Sequence, residues 1–190
     1  GYFQSWKYFT DIQSHLRGSL NFKPHVEATA SEFIRGEVTK HTNLDDGQYI
    51  LIGIHVRRGD AIKNVKLLKY GYAIVPSSYY EHAVEHLARR FNELPLVFIV
   101  CSDDVEWSKK NLHHLRQNFI FSEGNSDAVD LAILAKCKHV IMSMGTFGWW
   151  GAWLSGGDAV YYKNWPRKGS QLEKSFDKGD YFLRHWIAIE

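Results

Sequence analysis

The residues best suited to chemistry stand in two short runs. In the first, His55-Val56-Arg57-Arg58-Gly59-Asp60, an imidazole, two guanidiniums and a carboxylate follow directly on an apolar stretch. Adjacent arginines repel unless an anion meets them, and a planar guanidinium grips a phosphate by two parallel hydrogen bonds, so a pyrophosphate or a nucleotide sugar is the natural guest. The structural alternative is an Arg57–Asp60 ion pair with Arg58 solvated. Placement at the carboxyl end of a strand favours the anion. A protein-kinase catalytic loop can be traced through His55, Arg58, Asp60, Lys63 and Asn64, but the spacing is wrong, no glycine-rich phosphate loop precedes it and no Asp-Phe-Gly follows.

The second run opens at Asp130, passes Cys137 and His139, and reaches Ser143-Met144-Gly145-Thr146-Phe147-Gly148-Trp149-Trp150-Gly151-Ala152-Trp153. A buried strand, a Gly/Ser/Thr turn and a helix start form the geometry in which backbone N–H groups and a helix N-terminus hold phosphate. Gly145, Gly148 and Gly151 are spaced GxxGxxG rather than GxGxxG, so the dinucleotide fingerprint fails. Trp149, Trp150 and Trp153 read first as core. Asp130, opening the preceding helix, suits the helix dipole or, alternatively, accepts from a guanine edge.

The elements that must position these runs follow from periodicity. Trp6, Phe9, Ile12 and Leu16 recur at helical spacing, and Pro24 opens a second helix carrying Val26, Ala30, Phe33 and Ile34. The polar run from His41 to Gly47 is a linker, with a boundary near Gln48. Beyond it, strands are predicted at 49–56, 96–101, 118–121, 139–144 and 159–162, and helices at 77–91, 105–112, 127–136 and from 146. Near-continuous apolar strands such as Leu96-Val97-Phe98-Ile99-Val100, each followed by a helix, require a mostly parallel sheet covered on both faces. In such doubly wound α/β sheets ligands bind beyond the carboxyl ends of strands, where both runs fall. Residues 169–190 carry no readable pattern.

Composition narrows the rest. At 45% hydrophobic, 190 residues bury a sizeable core and exclude disorder. With 23 Lys+Arg against 21 Asp+Glu the net charge is +2, so no general nucleic-acid or membrane-surface field exists and any anion site is local. Cys101 and Cys137 support neither a disulfide framework nor a zinc site, and leave the redox compartment open. The uncharged stretch 140–157 is long enough for a bilayer, but its glycines and hydroxyls make it a strand, turn and helix. The chain opens on Gly1 without a signal-peptide pattern, so any anchoring or targeting segment would lie outside it.

GIHVRRGD and the stretch DLAILAKC with HVIMSMGTFGWWGAWLSGG resemble the two signature motifs of the α-1,2-fucosyltransferases of glycosyltransferase family 11. Gly1-Tyr2, Ser5-Trp6-Lys7-Tyr8-Phe9 and Phe33-Ile34-Arg35-Gly36 are similar to the segment leading into the first motif, so the resemblance covers nearly the whole chain. HxRRxD is shared with α-1,6- and protein O-fucosyltransferases, whereas GTFGWWGAWL is specific to this family.

The resemblance implies a GT-B-type glycosyltransferase of two Rossmann-like halves that moves L-fucose, with inversion, from GDP-β-L-fucose to the 2-OH of a terminal β-galactoside. Residues 48–190 would be the C-terminal, donor-binding half, and residues 1–47 a helical remainder of the acceptor-side half with its linker. By position, Arg58 would meet the β-phosphate beside Arg57, with His55 near the nucleotide. Asp130 matches the acid that opens the second motif, and Ser143, Gly145 and Thr146 its donor-phosphate turn.

No metal or other cofactor is implied, and neither Asp45-Asp46 nor Asp103-Asp104 makes a DxD; an arginine pair would neutralise the leaving diphosphate instead. Asp60 is the nearest carboxylate by sequence to act as base; a structural pairing to Arg57 is the equal alternative, with the base then elsewhere or absent. The implied partners are GDP-fucose and a β-galactoside glycan, with no nucleic acid. A membrane enters only through a segment absent from this chain: a type II Golgi anchor with a lumenal catalytic domain in an animal, or none and a cytoplasmic enzyme in a bacterium. No N-x-S/T site is present. The rival readings are a non-catalytic glycan-binding or scaffold protein, and a transferase using another nucleotide sugar.

Overall fold

The computed structural model describes residues 5–175 and 177–190, apart from the side chains of Asp60 and Ala61. Gly1 and Tyr2, which contribute to the resemblance, lie outside the described residues. After a 3-10 turn at Trp6–Phe9 come α1 (Gln13–Ser19) and α2 (Pro24–Thr42). Pro24 takes the first position of α2, where a missing N–H costs nothing, and Asn43 ends the helix in the left-handed conformation at φ 54°.

Strands and helices then alternate: β1 (Ile50–Val56), α3 (Gly59–Lys63), α4 (Val65–Tyr70), α5 (Ser77–Arg90), β2 (Leu96–Ser102), α6 (Val105–Leu112) and β3 (Asn118–Phe121). The chain continues through α7 (Asp127–Lys136), β4 (His139–Met142), α8 (Thr146–Ser155), β5 (Ala159–Tyr162), α9 (Gln171–Lys174), α10 (Lys178–Tyr181) and β6 (Ile187–Ile189). The strands pair in parallel throughout, in the order β3-β2-β1-β4-β5-β6. This is the doubly wound order of the Rossmann type, and it meets the predicted fold class.

Alternating side chains of β1 to β5 serve two cores. Ile52, Ile54 and Val56 join Phe98 and Val100 against Tyr79, Ala83 and Leu87 of α5 and Leu112 of α6. Leu51, Val97, Ile99 and Val140 face the opposite layer, built from Ile133 and Leu134 of α7 and from Trp149 and Trp153 of α8. The buried tryptophans are therefore core, and Trp149 Nε1 donates to the carbonyl of Tyr181 at 2.7 Å. Gln48, where a boundary is expected, lies in the loop between α2 and β1, and α2 on its far side buries Val26, Ala30 and Val38 in this same second core.

The stretch 140–157 is strand, turn and helix, and no helix among the described residues is long and apolar enough to cross a membrane. The sequence pattern missed α3, α4, α9, α10 and β6. Each is six residues or fewer, too short for a period to show, and α4 forms around a cap in which Asn64 Oδ1 accepts from the N–H groups of Lys66 and Leu67.

Candidate functional site

The strand order reverses between β1 and β4, and the two predicted runs leave the sheet at that switch point. His55 of β1 lies opposite Met142 of β4. Beyond them the Ser143 N–H donates to the His55 carbonyl at 3.1 Å, and the Arg57 N–H donates to Ser143 Oγ at 3.1 Å. Ser143 Oγ also stands 3.2 Å from His55 Nδ1. One buried hydroxyl thus ties the first run to the second.

A cleft of about 320 Å³ opens above this junction, bordered by His55, Arg57, Asp103, Asp127, Asp130 and Phe147. His55 is buried under Phe147, with ring centroids 5.4 Å apart. Burial, and then the positive charge of Arg57, push its imidazole down to about 3, so the ring is neutral at physiological pH. Asp130 faces the cleft from the first turn of α7, where Ser122 Oγ donates to its Oδ1 at 2.5 Å and Asn125 Nδ2 donates to Ser122 Oγ at 2.9 Å. Burial raises the Asp130 carboxyl above its ordinary range, with the Ser122 hydrogen bond opposing.

The two arginines part company. Arg57 borders the cleft, and its guanidinium carbon stands 5.4 Å from the ring centroid of Tyr72. It also lies against Gly145, where an added Cβ would come within 2.5 Å of Arg57 Nη1. Gly145 has φ 86° and stands at the N-cap of α8, with Thr146 the first helical residue, so the turn needs glycine both for its backbone and for its neighbour. Arg58 instead turns toward α6. Its Cζ stacks 3.8 Å from the Trp107 ring centroid, and its buried Nε, without a hydrogen bond, is 3.5 Å from Asp104 Oδ2.

The structure therefore gathers His55, Arg57, Ser143, Gly145 and Thr146 at the switch point, faces them with Asp130, and directs the Arg58 side chain away. A guanidinium gains a flat indole face and a carboxylate there, and both lie on the α6 side. The side chain of Asp60, the expected base, is outside the described ones. Sequence reasoning missed Tyr72, Asp103 and Trp107, and gave Phe147, inside the second run, no role of its own. Asp103 had a usable signal, a carboxylate just past the end of an apolar strand, whereas the others carry none. Among the described residues no group of three or more His, Cys, Asp or Glu side chains is placed to hold a metal ion.

Residues 1–190 match the sequence profile of glycosyl transferase family 11. The chain belongs to that family. Similar proteins include the galactoside 2-alpha-L-fucosyltransferase Sec1 of Mus musculus, 31% identical over all of this chain and 50% of the relative. The galactoside alpha-(1,2)-fucosyltransferase 2 of Sus scrofa is also 31% identical, over all of this chain and 55% of its own length. This family 11 chain thus spans about half the length of the curated relatives it matches. Among solved structures, a glycosyl transferase family 9 protein of Veillonella parvula superposes at a TM-score of 0.54 with 17% identity, over 90% of this chain and 41% of that one. The complex of POFUT1 with GDP gives 0.54 with 11% identity, over 75% and 47%. These likenesses show the fold, shared with glycosyltransferases.

Proposed function

We propose that this family 11 chain is the donor-binding part of an inverting galactoside α-1,2-fucosyltransferase, taking GDP-β-L-fucose and a terminal β-galactoside. The observation that carries the reading is the cleft at the β1/β4 switch point, where Arg57 and the Gly145-Thr146 turn at the N-terminus of α8 converge. Sec1 of Mus musculus and fucosyltransferase 2 of Sus scrofa, both relatives over the whole of this chain, are named for α-1,2-fucosyl transfer to galactosides. In this reading the diphosphate lies against Arg57 and the turn, His55 lines the nucleotide side as a neutral imidazole, and Asp130 accepts from the guanine edge.

As the C1–O bond of the donor breaks, positive charge grows on the fucose ring and negative charge on the β-phosphate. A guanidinium already in place stabilises that separated charge more than the ground state, and this lowers the barrier. The acceptor's galactose O2 enters from the face opposite the leaving GDP, and its proton passes to a base, for which Asp60 at the start of α3 is the proposed residue. An arginine supplies the positive charge that a divalent cation supplies elsewhere, so transfer is metal-independent in this scheme. Where the source is an animal, the reading adds Golgi residence through an anchor outside these residues; in a bacterium it adds the cytoplasm.

The test is the protein with GDP-fucose and a panel of β-galactosides, beside calorimetry with GDP. Transfer to galactose O2 with inversion supports the proposal. Glycan binding without GDP binding overturns it in favour of a lectin-like scaffold, and transfer from another nucleotide sugar alone overturns the donor. Activity is expected to survive EDTA; abolition by EDTA with rescue by Mn²⁺ or Mg²⁺ defeats the charge-neutralisation scheme.

A further inference from the structure

We infer that Asp103, in the turn between β2 and α6, is the positioning residue that decides which arginine faces the cleft. This inference rests on the donor reading above and assigns a role within it. Asp103 Oδ1 accepts the N–H of Arg58 at 2.7 Å, and Oδ2 accepts the N–H of Gly59 at 2.9 Å. A carboxylate that takes two consecutive backbone N–H groups makes charge-assisted bonds of the stronger kind and fixes the plane of the intervening peptide. Side chains of successive residues leaving an extended strand point opposite ways. Once the backbone at Arg58 and Gly59 is held, Arg57 and Arg58 must diverge.

Both destinations are built. Arg57 goes to the side of Tyr72 and Gly145 and borders the cleft. Arg58 goes to the face of Trp107. The neighbouring Asp104 prepares that face, since its Oδ1 accepts the Trp107 N–H at 3.2 Å as the N-cap of α6 while Oδ2 stands 3.5 Å from Arg58 Nε. Two consecutive aspartates at the end of β2 thus hold the backbone of the arginine pair and receive one of its side chains.

Asp103 also borders the cleft itself, and this makes the inference testable by sign. A carboxylate near a diphosphate repels it, so by Coulomb's law alone Asp103→Asn should tighten GDP binding. Positioning demands the reverse: the amide keeps the size but offers one acceptor oxygen and sets an NH₂ against the second backbone N–H, releasing the turn. The experiment is calorimetry with GDP on the wild type, Asp103→Asn, Arg57→Ala and the double variant, each at a temperature where circular dichroism shows it folded.

The expected result is a loss of about tenfold or more in GDP affinity for Asp103→Asn, the scale of a lost charge-assisted hydrogen bond. The double variant is expected to bind as Arg57→Ala does, because Asp103 acts through Arg57. Unchanged or tighter GDP binding by Asp103→Asn overturns the inference, as does a loss that adds in full to that of Arg57→Ala. If the asparagine variant does not fold, Asp103→Glu keeps the charge and moves the carboxylate by one methylene; weaker GDP binding supports the inference and equal binding overturns it. A wild type that ignores GDP overturns the donor reading and this inference together, whereas a wild type that binds GDP as well as Asp103→Asn does overturns the inference alone.

Discussion

Arg57 and Arg58 are neighbours in sequence, yet the first borders the cleft with its guanidinium toward Tyr72 and Gly145, and the guanidinium of the second lies on an indole beside a carboxylate. Chemistry that needs a preorganised cation is therefore expected to fall on the first. Arg57→Ala should lower kcat/KM for fucosyl transfer by about 10²–10³, the usual cost of one preorganised charge donor, and Arg57→Lys should recover little because an ammonium lacks the planar fork. Arg58→Ala is expected to cost less, since its effect passes through the turn. Steady-state kinetics of the three variants check the order, and a larger loss at Arg58 than at Arg57 refutes it.

His55 supplies a pH signature at the same scale. Its imidazole sits at about 3 in the folded protein against an ordinary 6.5. Between those values the unfolded chain binds a proton that the folded one refuses, so stability rises with pH across this window and is lost as the pH falls. One such group contributes a slope of about 1.4 kcal/mol per pH unit. Burial lowers His139 as well, which adds to the trend. Urea unfolding between about pH 4.5 and 6 should show the slope, and His55→Gln should remove one proton's share of it.

Among the elements, the glycines of the second run divide their labour along α8. Gly145 is held at positive φ beside Arg57, while a Cβ on Gly148 would overlap the His55 ring. Gly151, one turn further on, faces α7, where an added Cβ would meet Leu134 Cβ at 2.9 Å. Gly145→Val is accordingly expected to raise the Kd for GDP as well as lower Tm. Gly151→Ala should lower Tm alone: alanine gains about 1 kcal/mol of helix propensity, but overpacking between two helices typically costs about 1–3 kcal/mol and the clash is with an atom anchored to the backbone. Melting temperature and GDP affinity measured on one sample of each variant separate the two, and unchanged affinity in folded Gly145→Val defeats the phosphate-turn reading.

Across the whole molecule, the site is a product of sheet order. β1 is central, flanked by β2 and β4, so the loops after all three strands meet at one edge of the sheet. From the end of β1 and the loop after it come His55 and the arginines, from the loop after β2 Asp103 and Asp104, and from that after β4 Ser143 and Gly145. The second core extends under this edge and includes α2, so the first helices brace the same layer as α7 and α8. Phe9 packs on Trp150 and Trp153 at 5.9 and 5.4 Å between centroids, and Arg17 Nε donates to the Trp153 carbonyl at 2.8 Å.

Much of the fold is legible in the sequence alone. Apolar runs of strand length between helical periods determine a parallel sheet covered on both faces, because only such a sheet buries whole strands. The element boundaries at Val105–Leu112, Asn118–Phe121, Asp127–Lys136 and Ala159–Tyr162 coincide with the sequence reading. That His55, Arg57, Ser143 and Gly145 stand at the carboxyl ends of neighbouring strands is likewise legible, since both runs follow directly on apolar strands. What only the tertiary structure decided is direction. Two adjacent arginines look alike in a sequence; a bidentate carboxylate 45 residues away and an indole in α6 turn them apart. Likewise a GxxGxxG spacing does not say that one glycine sits at positive φ beside an arginine while another lets two helices touch, because those demands come from neighbours that the chain meets only when it is folded.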